Sequence, residues 1–294
     1  MKVVALVAVV LGWAGLTYAY SGWLIRRPGH TPVGTNYRGT RLGANLGFGL
    51  ALVVLWALVA DASWFLDTSV KTTGGERSAI SASMALVFLA GWYDDHRADS
   101  ARGIRGHFGE LARGRVTPGL LKLVGIVGAA ILVAVSLSDD VVRILLGISV
   151  IAGAANLWNL LDVRPGRALK WFLVAALVLV GWYARFDDFL LGAAIGSAAA
   201  LLIFDLQERA MLGDAGSNLL GFIIGMALFR VLPAWGLAIA LVFILLLHAV
   251  GETVTLSRII VATPPLRWFD RLGRLPPHQT ELGGGGDARH PASG

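Results

Sequence analysis

The chain has no cysteine, which excludes disulfides, thiolate nucleophiles and cysteine-ligated metals. A bound metal would have to be held by Asp, Glu, His or backbone oxygen, a hard ligand set that points to magnesium, with manganese second. Charge is scarce too. Asp, Glu, Lys and Arg make up 15% of the 294 residues, against about 25% in soluble domains. Most of the chain therefore lies where charge is costly. No motif mixes basic and aromatic residues for nucleic acid. The net charge of +6 and the pI near 10.1 fit basic loops on the cytoplasmic side of a membrane instead.

Apolar residues are abundant, at 56%, with a mean hydropathy of +0.68. A bilayer core needs roughly 20 apolar residues per helix. Such runs predict nine transmembrane helices near 3–20, 43–60, 78–92, 119–137, 141–158, 169–184, 189–205, 215–231 and 235–256. The first run lacks a small-residue cleavage site after it, so it reads as a retained helix rather than a signal peptide. Many of the 37 glycines fall inside these runs, where small residues let helix backbones approach closely. The expected fold is an all-α polytopic membrane protein, one domain over 1–278 followed by a disordered polar tail at 279–294. Residues 264–275 alternate Leu266, Trp268, Phe269 and Leu272 with Arg267, Arg271 and Arg274, the pattern of a short interfacial helix.

Of the 25 Lys and Arg residues, 19 fall in loops on one side of these spans and six on the other. Positive loops stay inside, so the N-terminus is expected outside, the C-terminus in the cytoplasm, and the protein in the plasma membrane.

The acidic pairs divide by side. Asp139-Asp140 and Asp187-Asp188 sit in short external turns and read as solvated loop charge. Asp94-Asp95, in GWYDDHRAD, lies on the cytoplasmic side, where paired carboxylates can hold a divalent ion or orient a proton acceptor. In NLWNLLDVRPGRALK, Asn159 and Asp162 stand three apart on one helix face, followed by Arg164, Arg167 and Lys170. That set suits a phosphorylated ligand and equally a capped basic loop. In MLGDAGSNLLG, residues Gly213, Asp214 and Ser217 open a helix, whose free N–H groups attract phosphate; a capping Asp or Ser would not need two glycines and a serine clustered there, so the functional reading is favoured. His248 and Glu252 are four apart in the ninth run, either a functional pair or a lock between helices.

Taken in order, these elements resemble the polyprenyl-phosphate N-acetylhexosamine-1-phosphate transferase superfamily, which includes the bacterial phospho-N-acetylmuramoyl-pentapeptide translocase. TPGLLKLVG looks like the family's lysine-bearing segment and singles out Lys122; VGETVTLSRII looks like its ninth helix and singles out Glu252. The resemblance implies transfer of a sugar-1-phosphate from a nucleotide sugar, UDP-linked by expectation, to a polyprenyl phosphate, with magnesium, in cell-envelope glycan synthesis. It implies Asp214 as the metal ligand and Asp94 as base or acceptor-positioning group, with Asp95 beside it. Asp162 would act near the donor diphosphate, and Asn159 and Lys122 would hold phosphate oxygens. Gly213, Ser217, Arg164, Arg167 and Glu252 are the further substrate-binding candidates.

The chain departs from that family in places. It reads DVRPG where the translocase has DGLDG, so Pro165 stands where a base-contacting Asp would be. Met211 replaces an aromatic residue, the histidine cluster reduces to His278, and no tenth helix is expected. These departures support a second reading, a catalytically silent paralogue that binds polyprenyl phosphate or an envelope-biogenesis partner. A secondary transporter is disfavoured by the clustering of the acidic residues on one face. A CDP-alcohol phosphotransferase would need a dense Asp-Gly helix pattern, which is missing.

Overall fold

A computed structural model of the chain describes residues 2–26, 34–35, 41–42, 74–97, 109–182, 189–254 and 256–276. The fold is helical. In chain order the helices are α1 (Lys2–Ile25), α2 (Gly74–His96), α3 (Pro118–Leu137), α4 (Val141–Leu161), α5 (Arg167–Trp182), α6 (Phe189–Leu206), α7 (Gly213–Val231), α8 (Ala234–Val254), α9 (Leu256–Ala262) and α10 (Pro264–Arg271). A two-residue antiparallel pair, Gly34–Thr35 with Arg41–Leu42, is the β structure among the described residues. The helix expected at 43–60 and the tail at 279–294 lie outside the described residues.

Five helices, α1, α3, α4, α7 and α8, are long and apolar enough to cross a membrane. α2, α5 and α6 form where spans were expected but fall short of that measure. α2 carries Glu76 and Arg77 in its first turns and Asp94 and Asp95 in its last. α5 has 16 residues, and the apolar part of α6 is Leu190–Leu206. The expected last span, 235–256, forms as α8, and the short α9 follows it.

Local signals set several helix starts. Pro118 opens α3, where its missing N–H is not needed, and the Thr117 hydroxyl accepts from the Leu120 N–H at 3.3 Å. Asp140 caps α4 by accepting from the Arg143 N–H at 3.0 Å, so this Asp, expected as solvated loop charge, is a helix cap.

α7 is the central helix, with 78% of its span buried, whereas α8 has 17% and presents Ile239, Val242, Phe243 and Leu246 outward. Exposed side chains of that kind on a span suit lipid. Glycine makes the central contact. α4 and α7 run antiparallel, and a Cβ on Gly221 would lie 2.3 Å from the Ala154 carbonyl oxygen. α1 and α6 run parallel, with Gly196 against Val10 and the Thr17 hydroxyl donating to Ser197 at 2.9 Å.

These pairings sort the helix ends. α1, α2, α4, α6 and α8 finish, and α3, α5 and α7 begin, at the same end of the bundle. At the opposite end the Arg143 guanidinium donates to the carbonyls of Leu232 and Phe229, at 2.6 and 2.5 Å. A cation there satisfies the open carbonyls at the close of α7.

Candidate active site

α2 continues helical through Asp94 and Asp95 instead of ending before them. Consecutive helical residues point about 100° apart, so the two carboxylates serve different partners. Asp94 faces α3, where its Oδ2 lies 2.5 Å from Lys122 Nζ. The same ammonium donates to Asp214, in the first turn of α7. Lys122 thus bridges carboxylates from two other helices. Its side chain is 13% exposed, that of Asp94 15% and that of Asp214 32%, so Asp214 is the member most open to a ligand.

Asp95 turns the other way. Its two carboxylate oxygens accept the N–H groups of Asp214 and Ala215, at 2.9 and 3.1 Å. The helix start expected to attract phosphate is therefore occupied by an anion of the protein itself, as the positive end of a helix favours. Neither Asp214 nor Ser217 caps α7; no side chain of the preceding Leu212 does either. Gly91 makes this approach possible, since a Cβ there would lie 2.7 Å from the Ala215 Cα. Gly213 enters the helix at φ +70°, the left-handed region that suits glycine.

Asn159 and Ser217 meet across α4 and α7, the Ser217 hydroxyl donating to Asn159 Oδ1 at 3.1 Å. Asp162 follows as the C-cap of α4 and accepts the Gly213 N–H. Burial, then the like charges of Asp205, Asp214 and Asp95, push its carboxyl well above the ordinary range, with the Gly213 N–H pulling the other way. Asp205 is buried at the end of α6 and accepts the Gly166 N–H at 2.7 Å. Gly166, at φ +73°, has no room for a Cβ, which would fall 2.5 Å from Leu206 Cδ2. Asp205 was not singled out from sequence, although a lone Asp closing an apolar helix is a visible signal.

Arg164 is half-buried in the turn between α4 and α5. Arg167 departs from the expected donor-binding role: its side chain is fully buried. Its Nε and Nη2 donate to the Asp270 carboxylate at 2.6 and 3.1 Å, and Nη1 donates to Ser257 at 2.8 Å. Arg274 Nη1 reaches the same carboxylate at 3.2 Å. Lys170 Nζ donates to the carbonyls of Phe269, Asp270 and Leu272 at the close of α10, at 2.8, 2.6 and 3.3 Å. Burial alone would raise Asp270, but the hydrogen bond and charge of Arg167, with Arg274 and Lys170, outweigh it and hold the carboxyl below its ordinary value. Asp270 is the other residue missed from sequence, hidden among the arginines of residues 264–275.

His248 donates from Nδ1 to the Ile244 carbonyl at 2.9 Å, which leaves Nε2 to accept from the Asn156 amide at 2.8 Å. It locks α8 to α4. Glu252 lies in the last turns of α8, and its side chain, like all of His278, lies outside the described residues.

Asp94, Asp95, Lys122, Asn159, Asp162, Gly213, Asp214 and Ser217 thus come together at one end of the bundle. Among the described residues no group of three His, Asp or Glu has the spacing of a complete metal cage. Magnesium commonly uses one or two carboxylates and takes further oxygens from substrate phosphates and water. Asp214, partly open and paired with Lys122, could take that role jointly with a diphosphate. No protein-family model matches this chain, and no curated protein is significantly similar to it.

Proposed function

We propose that the protein transfers a sugar-1-phosphate from a nucleotide sugar to a polyprenyl phosphate at the cytoplasmic face of the plasma membrane. The observation that carries this reading is the Lys122 ammonium set between Asp94 of α2 and Asp214 of α7. Phosphoryl transfer needs positioning and neutralised oxygens more than covalent help from the protein. A phosphate oxygen of the lipid attacks the sugar-linked phosphorus of the donor. The bond from that phosphorus to the bridging oxygen breaks, and the nucleoside monophosphate leaves with the electron pair. Lys122 and Asn159 hold phosphate oxygens, and Asp94 orients the acceptor or takes its proton. Asp162 and Arg164 border the donor diphosphate. Magnesium, held by Asp214, would neutralise the diphosphate. The 19-to-6 split of basic residues supports a cytoplasmic site.

A second reading, a silent paralogue that binds the lipid phosphate, is favoured by one observation. The N–H groups opening α7 are taken by Asp95 and Asp162, and Arg167 by Asp270. Purified protein with labelled polyprenyl phosphate, magnesium and a panel of nucleotide sugars separates the two. A lipid-linked sugar and free nucleoside monophosphate are expected. Saturable binding of the lipid with no product from any donor would replace the first reading with the second.

A further inference from the structure

The helix expected at the interface is α10, and the structure shows how it is held. One face is latched to the start of α5: Asp270 is buried against Arg167 and Arg274, and Lys170 closes the last turn. The other face is open. Trp268 is 67% exposed and Leu272 49%, with Arg267 and Arg271 exposed beside them. Pro264, Arg267, Trp268, Arg271, Leu272 and Gly273 line a shallow cavity of about 470 Å³.

Charge selects the occupant. Asp270, the only acidic residue of α10, is buried and paired on the latched face. Arg267 and Arg271 make no ion pair among the described residues, so the open face is purely cationic. An exposed Trp with apolar and cationic neighbours is the makeup of a surface that sits on a leaflet. The end of the bundle where α10 lies is the end of the basic loops.

We infer that the Arg267–Trp268–Arg271 face of α10 is a docking surface for acidic phospholipid headgroups. The arginines take the lipid phosphate, while Trp268 and Leu272 enter the boundary of the acyl chains. The Arg167–Asp270 latch holds the helix in register while this face meets the leaflet. This inference does not depend on the transferase reading.

Because the chain has no cysteine, a single Leu275→Cys variant can be labelled specifically with an environment-sensitive fluorophore. The full-length labelled protein is placed in phosphatidylcholine vesicles, with and without phosphatidylglycerol. The expected result is a blue-shifted emission, quenched by spin-labelled acyl chains, in the anionic vesicles and a weaker one in the neutral vesicles. Arg267→Gln and Arg271→Gln, both at exposed positions, should each weaken the anionic preference about fivefold, as for a basic residue near an anionic surface. An equal response in both lipids would overturn the inference. So would loss of the signal on adding free inorganic phosphate, which would make the face a soluble-anion site, or full access to an aqueous quencher in anionic vesicles.

Discussion

Lys122 Nζ lies 2.5 Å from the Asp94 carboxylate while also donating to Asp214. Removing the ammonium leaves two poorly solvated carboxylates facing each other. Breaking one side of a buried pair costs about 3–5 kcal/mol, so Lys122→Gln should lower the unfolding temperature in detergent and abolish turnover. Adding Asp94→Asn to Lys122→Gln should recover part of the stability and none of the turnover. No recovery in the double variant would mean that Lys122 stabilises through packing alone.

Asp95 and Asp214 divide stability and chemistry between them. Asp95→Ala strips the carboxylate that accepts two N–H groups at the start of α7 and should cost about 1 kcal/mol, as for a lost helix cap. Asp214→Asn keeps size and leaves that cap in place. It should fold normally and reduce turnover more than about 100-fold, as expected when several kcal/mol of charge stabilisation are lost. Near-normal activity in Asp214→Asn would remove Asp214 from the mechanism.

Gly91 sets the spacing of α2 and α7 beneath the site. A Cβ at 2.7 Å from Ala215 Cα meets backbone, which cannot swing aside. Gly91→Ala should destabilise by about 1–3 kcal/mol, the usual penalty of overpacking, and should lower turnover by displacing Asp95 from its N–H partners. Gly12→Ala is the control, because nothing lies within 4 Å of a Cβ there, and it should be neutral or slightly stabilising. Equal tolerance at both positions, read by thermal unfolding, would contradict the close contact.

The Arg167–Asp270 pair makes stability depend on acidity. Asp270 is held below its ordinary value in the folded protein. Its contribution is therefore full above the unfolded value, about 3.9, and is lost as pH falls through the folded value. Asp270→Asn leaves Arg167 buried and partly unpaired and should cost about 3 kcal/mol at neutral pH. Thermal unfolding of both proteins from pH 7 downward should show the gap closing below about pH 4. A gap of constant size would place the effect in packing instead of charge.

Orientation is testable by reporter fusions. Fusions after Arg167, Arg209 and Gly273 should report the cytoplasm, and a fusion near Asp139 the outside. The basis is the charge asymmetry together with the gathering of helix ends around Lys122 and Asp214. A cytoplasmic signal at Asp139 would reverse the molecule and put the acidic cluster outside.

The helical fold was legible because lipid-compatible runs and their punctuation are local properties. The apolar runs and the glycines within them mark helices and their close contacts within a few residues of sequence, whereas Asp140, which reads as solvated loop charge, caps α4. The composition of GWYDDHRAD, NLWNLLD and MLGDAGSNLLG likewise singled out the residues that converge. What each does depends on which neighbour lies across a helix boundary, and no spacing along the chain encodes that. Asp94 and Asp95 are adjacent in sequence, yet the helical turn between them sends one to Lys122 and the other to the start of α7. Arg167 reads as a phosphate ligand in its loop, but α10 folds back and buries it against Asp270, because a buried guanidinium requires a partner. Among the described residues, the sequence by itself therefore determined which long segments are helical and which residue types gather at the polar end of the bundle. The tertiary structure decided which carboxylates remain open to a ligand, since that depends on pairings between residues roughly a hundred positions apart.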